Sequence, residues 1–257
     1  VTEAFRLAEL TTDEVRDEVR NSPTAVLLPV GSVEPHGPHL PLATDTILSE
    51  EAARRAAKDL RARGVRAWIA PSVPYGVTDF AAGFHGAVGI GASVLTPLLA
   101  ALVTGFLDNG FSHVCLVNNH LEPAHDQAVR AAIDRLSDGM ASVACPLSKR
   151  WGRLLSDEFK RGNCHAGRYE TSLVLAAGVH PRDGFLALPP LQVSLSDGIR
   201  QGKTSFRAMG LDRAYTGAPG DATREEGEAL YARLAEMIAT EVLESLAKVT
   251  LPARPVK

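Results

Sequence analysis

Cysteine is scarce in this chain: Cys115, Cys145 and Cys164 stand far apart, and their number is odd. That pattern supports no disulfide framework and points to a reducing compartment. No apolar run reaches the roughly 18 residues that a membrane-spanning helix requires. The opening stretch, residues 1–17, is charged and amphipathic where a secretory leader would be apolar, so the cytoplasm is the expected location. Neither sign of charge dominates. The formal net charge is −3, with Lys and Arg scattered along the chain, which offers no footprint for nucleic acid or an anionic membrane. Internal repeats, low-complexity runs and linkers are also missing. What is present is the makeup of a globular protein, 45% hydrophobic and 22% charged with a mean hydropathy near zero. Its 257 residues suffice for one domain, 1–257, that buries its own core.

The periodicity alternates between strands and helices. Residues 4–20 read as a leading helix, Ala25 to Val30 as a first strand, and Thr46 to Arg63 as a helix with Ile47, Leu48, Ala52, Ala56 and Leu60 at helical spacing. Further strands are expected at Val65 to Ala70, Ser112 to Asn118 and Ala141 to Pro146. Helices are expected at Ser93 to Leu107, Pro123 to Leu136, Trp151 to Phe159 and Ala166 to Gly178. The final helix begins at a capping box, Thr223-Arg224-Glu225-Glu226, and runs to Lys248. Between Val179 and Pro219 the Pro-, Gly- and Ser-rich sequence predicts loop with short elements, and Pro71 to Gly91 is a long loop of the kind that carries function. Strand–helix alternation implies an α/β fold with a mostly parallel sheet and helices on both faces.

Two clusters stand just beyond strand ends. The first strand breaks at Gly31 and leads into a Gly/Pro-stiffened loop carrying Glu34, His36 and Asp45. A plain reading makes this a polar loop with Thr44 or Asp45 capping the next helix. The run Val114 to Asn118 likewise delivers His120 and Glu122. In open parallel sheets, groups beyond the carboxyl ends of the strands converge on a common crevice. Five O and N donors exceed what one structural zinc takes, and they suit two hard or borderline ions sharing a carboxylate.

The run Gly31-Ser32-x-Glu34-x-His36-Gly37-x-His39-Leu40-Pro41-Leu42-x-Thr44-Asp45, with Asn118-x-His120-x-Glu122 and His165-Ala166-Gly167-x-x-Glu170-Thr171-Ser172, resembles the creatininase (creatinine amidohydrolase) family. Pro74-Tyr75-Gly76 and Ala222-Thr223-x-Glu225-x-Gly227-Glu228 extend the likeness over most of the chain. The resemblance implies a creatininase-like fold and two divalent metal ions per chain, Zn, Mn or Fe. Glu34, Asp45 and His120 would hold one ion, and His36, Asp45 and Glu122 the other, with Asp45 bridging. It further implies a homo-oligomer, a hexamer in creatininases, and a small-molecule amide substrate. His165 corresponds to the family's catalytic histidine, a proton shuttle while metal-activated hydroxide attacks an amide or cyclic amide C–N bond. Glu170 would orient His165 or serve as an additional ligand. His39 is expected to support the ligand loop.

Departures from the pattern bear on substrate. Where creatininases carry an aromatic residue four before the catalytic histidine, this chain has Arg161; Phe84-His85-Gly86-Ala87 replaces Phe-Pro-Gly-Thr. Creatinine itself is therefore not the expected substrate, and Arg161 and His85 offer positive charge to a carboxylate or phosphate. Tyr75, Leu121, Trp151 and Arg161 are the expected substrate-side residues, and a non-peptide amide is the expected bond. The alternatives are a peptide- or formamide-cleaving branch of the family and a non-catalytic binding protein on the same fold. Cys164 beside His165 is not read as a nucleophile, because adjacent residues seldom face one another.

Overall fold

Seven consecutive buried residues, Thr24–Val30, make β1 the strand that the fold is built around. The computed structural model describes residues 5–248. Thr11 caps helix α1 (Thr12–Asn21) in a reciprocal box with Glu14, and β1 follows. Helix α2 (Thr44–Ala62) leads to β2 (Arg66–Ile69), α3 (Ala92–Asp108) to β3 (His113–Asn118), and α4 (Pro123–Ala131) to β4 (Ala141–Ala144). The strands pair in the order β2-β1-β3-β4, all parallel, with Ala25 opposite Ala67 and His113. Helices α5 (Lys149–Gly152), α6 (Asp157–Arg161), α7 (Arg168–Ala176), α8 (Leu195–Arg200) and α9 (Arg224–Leu246) complete the chain.

Alternation along the strands sends successive side chains to opposite faces. Ala25, Leu27, Cys115 and Val117 join Leu48 and Ala52 of α2, Leu173 of α7 and Ile238 of α9 in one core. Val26, Leu28, Val30, Val114 and Leu116 join Leu95 and Leu99 of α3 and Val129 of α4 in the other. Because both faces are covered, the strands read as continuous apolar runs. Each fully buried Leu or Val on these faces contributes on the order of 1.5–3 kcal/mol relative to exposure.

The expected α/β architecture is therefore the observed one, with differences at several elements. The leading helix starts only at Thr12, after a short 3-10 turn at Leu7–Glu9, and residue 4 lies outside the described residues. The single helix expected from Trp151 to Phe159 is two, because Ser156 accepts the Phe159 amide and starts α6 afresh. Only half of the Thr223 box forms. Thr223 caps the Glu226 amide, while the Glu226 carboxylate accepts from Ser172 on α7 instead of returning to its own N-cap. The long segment after α7 holds α8 and three 3-10 turns, Phe185–Ala187, Arg207–Met209 and Pro219–Asp221. It packs on the Pro71 to Gly91 loop through a small third core of Ala81, Phe206, Met209, Leu211 and Ala214. Among the described residues, no helix is long and apolar enough to cross a membrane.

Candidate metal centre

The loop after β1 turns tightly because nothing larger than hydrogen fits at Gly31, where a Cβ would lie 2.6 Å from Thr46 Oγ1 and 2.7 Å from the Thr46 amide. The Glu34 amide then donates to Leu42 O, folding the loop on itself. Neither Thr44 nor Asp45 caps α2. Its N-cap is Ala43, and the Thr44 hydroxyl donates to Pro41 O. The Asp45 carboxylate thus remains free in the first turn, at the helix end that favours negative charge. At the end of β3, Asn118 Oδ1 accepts from the His120 amide and the Asn119 amide donates to Ser49 on α2. His120 and Glu122 are thereby brought to the same crevice as the first loop.

Asp45 lies between two imidazoles. Its Oδ1 is 3.1 Å from His36 Nε2 and its Oδ2 is 3.0 Å from His120 Nδ1. The second contact is not aligned as a hydrogen bond, which leaves Asp45 Oδ2 buried without a hydrogen-bond partner. Both rings have their tautomers set by backbone carbonyls, as ligating histidines do. His36 donates from Nδ1 to Glu34 O at 3.1 Å, and His120 donates from Nε2 to Val77 O at 2.6 Å. The nitrogens that face Asp45 are consequently the lone-pair nitrogens when the rings are neutral. Donor atoms gather in three groups: Glu34 with His120 and Glu122, His36 with Asp45 and Glu170, and Glu34 with His36 and His165.

Glu34, Asp45, Glu122 and Glu170 are all buried, at 2%, 1%, 7% and 3% exposure. Uncompensated charge of that density is costly, and its effects are visible in the titration of the site. Burial alone would push the His36 imidazole down, but Asp45, then Glu170 and Glu34, raise it to about 10. His120 is likewise raised well above its usual range, the Glu34 and Asp45 carboxylates outweighing burial. For Glu34 burial is opposed by His120, which holds the carboxyl near 2; Asp45 is held lower still by His36 and His120. Burial wins at Glu122, raised to about 7, and at Glu170, raised to about 8. Two divalent cations would neutralise these four carboxylates and leave both imidazoles neutral, so the donor set fits a dinuclear centre.

His165 packs between His36, at a centroid distance of 4.7 Å, and Phe206, stacked at 4.3 Å. Its Nε2 donates to Pro35 O at 3.0 Å, leaving Nδ1 on the side of Glu34 Oε1, 3.9 Å away. Burial, then His36, lowers it to about 4. Glu170 has no contact with His165 that would orient the ring. Its Oε2 accepts from the Ala166 amide at 2.6 Å and lies 3.7 Å from His36 Nε2. Glu122 stands within reach of Glu34 and His120. His39 donates to or accepts from Thr171 at 3.0 Å, tying the first loop to α7 beside Glu170.

Above the donors opens a cleft of about 390 Å³ walled by Phe80, Leu121, Leu147, Phe159, Leu195 and Ile199, with Lys160 and Arg200 at its rim. Of the expected substrate-side residues, Leu121 lines it. Tyr75 is solvent-exposed outside it, and Arg161 is exposed and does not line it, whereas its neighbour Lys160 does. Trp151 is a core residue: 7% exposed, it donates from Nε1 to Glu241 on α9. His85 is exposed as well and does not line the cleft. Cys164 lines the cleft, but burial raises its thiol far above the range where a thiolate forms. Sequence reasoning missed Thr78, whose hydroxyl donates to Glu34 Oε2, together with Phe206, Lys160 and Arg200. The only signal for Thr78 was the length of its loop, and the other three lie in segments without periodicity or motif.

The sequence model of the creatininase family, creatinine amidohydrolase, matches residues 8–242. A mycofactocin precursor peptide peptidase of Mycolicibacterium smegmatis is 31% identical over 223 residues, which cover 81% of this chain and 80% of the relative. Two solved creatininases share the fold at 20% identity, each aligned over 95% of this chain and 99% of its own. One is a manganese form, TM-score 0.74, and the other a mutant of the Zn–Zn type, TM-score 0.72. With the family model matched over nearly the whole described chain and a relative at this identity, the chain belongs to the creatininase family.

Proposed function

We propose that this chain is a dinuclear metal-dependent hydrolase that cleaves an amide C–N bond in a peptide or peptide-like substrate. The observation that carries the reading is Asp45, a buried carboxylate whose two oxygens each face the free nitrogen of a different histidine. Glu34, His36, Asp45, His120 and Glu122 would hold the two ions, with Asp45 shared between them and Glu170 a further donor beside His36. Manganese and zinc, present in the solved creatininases named above, are the ions to expect. Two such ions supply a nucleophilic water of lowered pKa and polarise the carbonyl.

The chain's own residues perform the rest. His165 is neutral near pH 7 and holds Nε2–H on Pro35, so Nδ1 is the atom that takes a proton from the attacking water and returns it to the departing nitrogen. Phe206 and the apolar walls exclude bulk water from that transfer. The cleft favours an apolar side chain beside the scissile bond, and Lys160 and Arg200, held only by exposed partners Asp157 and Asp197, favour an anionic group at the rim. Among the amide substrates that the sequence leaves open, a peptide suits this cleft better than a small polar ring, and the M. smegmatis relative is named for action on a peptide.

The test is elemental analysis with an amide panel before and after chelation. The expected result is about two ions per chain and activity on peptides that pair an apolar residue with a carboxylate, lost on chelation and restored by added metal. His165→Ala should keep its metal and lose kcat by about 10²–10⁴-fold. A metal-free chain whose folding and activity ignore chelators would sink the proposal. Self-association belongs to the same reading: α3 exposes Val94 and Leu98 on a face that carries no charge before Asp108. Light scattering at micromolar concentration is expected to give an oligomer that Leu98→Glu dissociates; a monomeric parent would refute it.

A further inference from the structure

Among the described residues the His165 ring makes one hydrogen bond, from Nε2 to Pro35 O at 3.0 Å, and the His165 carbonyl accepts from the Thr216 amide at 2.9 Å. Neither bond sets the plane of the imidazole. A ring held by one bond to a carbonyl can still tilt about the N–H···O line, and the torsion that turns a histidine ring is broad. A contact with the face of the ring is needed to fix where Nδ1 points.

Phe206 supplies that contact. Its ring stacks on His165 at a centroid distance of 4.3 Å and 24° between planes, while His36 lies 4.7 Å away at a steeper 37°. Phe206 is itself locked. Its amide donates to Phe80 O at 2.9 Å, and its carbonyl accepts from the Met209 amide at 3.0 Å and the Leu211 amide at 2.9 Å. The ring is 4% exposed, packed against Phe80 at 6.1 Å and Phe84 at 6.4 Å. Phe84 is in turn covered by the Arg207 guanidinium, 4.6 Å from its centroid. The flat face offered to His165 is thus backed by the loop of residues 71–91 and by the irregular segment after α7.

We propose that Phe206 is a positioning residue, whose ring sets the plane of the His165 imidazole and keeps Nδ1 turned toward the donor cluster during proton transfer. This inference rests on the hydrolase reading above, and it gives Phe206 a role beyond keeping water out. Phe206 also lines the cleft, so a residue that merely walls the substrate is the rival. The two roles differ in kinetics. Misplacing the shuttle lowers kcat, whereas losing a substrate wall raises KM.

The experiment compares Phe206→Leu with Phe206→Tyr in the full chain loaded with Zn²⁺. Leucine keeps an apolar wall and removes the flat face; tyrosine keeps the face. On a peptide that pairs an apolar residue with a carboxylate, kcat should fall by about 10–100-fold in Phe206→Leu with KM unchanged, and Phe206→Tyr should recover it. A second readout needs no substrate. In ¹H–¹³C spectra of the chain labelled at histidine Cε1, with His165 identified through His165→Gln, the stacked His165 Hε1 is shielded by the Phe206 ring. That resonance should move downfield in Phe206→Leu and return in Phe206→Tyr. Urea unfolding and elemental analysis check that the variants fold and hold metal as the parent does, and Phe206→Met replaces Phe206→Leu if the latter does not fold. A raised KM at unchanged kcat, equal losses in both variants, or an Hε1 resonance indifferent to Phe206→Leu overturns the inference while the hydrolase reading stands. A parent without amidase activity overturns the hydrolase reading and, even with the stack intact in the spectra, removes the role assigned to it.

Discussion

Asp45 and Glu158 are both buried carboxylates, at 1% and 4% exposure, and their surroundings are opposite. Glu158, on α6, accepts the Tyr169 amide on Oε1 at 2.9 Å and the Ala218 amide on Oε2 at 2.8 Å. The chain reaches it only because Gly217, at a φ of +88°, has no Cβ to collide with Oε2. Asp45 accepts from no backbone amide and is left with an unbonded oxygen between two imidazoles. Glu158 therefore stitches the start of α7 to the segment before α9, a closed arrangement that asks for nothing more. Asp45 turns each oxygen toward a different imidazole, the arrangement that a carboxylate shared between two cations would take. Glu170 is intermediate, with one amide on the oxygen that also approaches His36. What separates Glu158 from Asp45 is what faces their oxygens, two backbone amides in one case and two imidazoles in the other; neither burial nor the number of amides decides it, since Glu122 accepts the Asp79 and Phe80 amides within the donor cluster.

Neutralising the two residues is the most direct way to break this comparison. Asp45→Asn should lose both ions and reduce activity by on the order of 10³–10⁴-fold, with metal-free stability lowered because the buried imidazoles of His36 and His120 lose the carboxylate that pairs with them. Elemental analysis and urea unfolding in chelator read the two effects. Glu158→Gln should lower stability alone. It keeps its metal, but an amide nitrogen cannot accept from Tyr169 or Ala218, and a stability loss of about 3 kcal/mol is expected from the denaturant midpoint. Metal loss in Glu158→Gln, or full metal retention in Asp45→Asn, would erase the distinction.

A buried histidine sharpens the contrast with a smaller effect. His113 is bonded to Gly139 O at 2.8 Å and Ser142 Oγ at 2.9 Å and faces no carboxylate, so burial lowers it to about 4. Between that value and about 6.5 for an unfolded chain, the unfolded state binds a proton that the folded state does not. Its contribution is thus complete above about pH 6.5 and lost as pH falls toward 4, about 2 kcal/mol between pH 7 and 5. Urea midpoints at those two pH values should differ by that much more in the parent than in His113→Gln. An identical acid dependence in both would show that His113 titrates as a solvated residue. His36, ringed by carboxylates, shifts in the opposite direction.

Much of this protein is legible in its amino-acid sequence. A strand covered on both faces is apolar along its middle, so the runs Ala25 to Val30 and Val114 to Val117 announce themselves, and their parallel order follows from the helices between them. Glu34, His36, Asp45, His120 and Glu122 are readable because parallel strands deliver their far ends to one crevice. The loop geometry around Asp45 is not, since Thr44 and Asp45 are good cap types and only the fold turns Thr44 to Pro41 O and frees Asp45. Trp151 misleads for the same reason. An indole suits a substrate wall or a core equally well, and contact with Glu241 across the chain decides the matter. Residue type and local periodicity determined the strands, the helices and the kind of chemistry the donors support. Tertiary structure alone decided which nitrogen of His120 is free, that Asp45 lies between His36 and His120, and that Thr78 meets Glu34, because each depends on packing between segments with no covalent reason to be near one another.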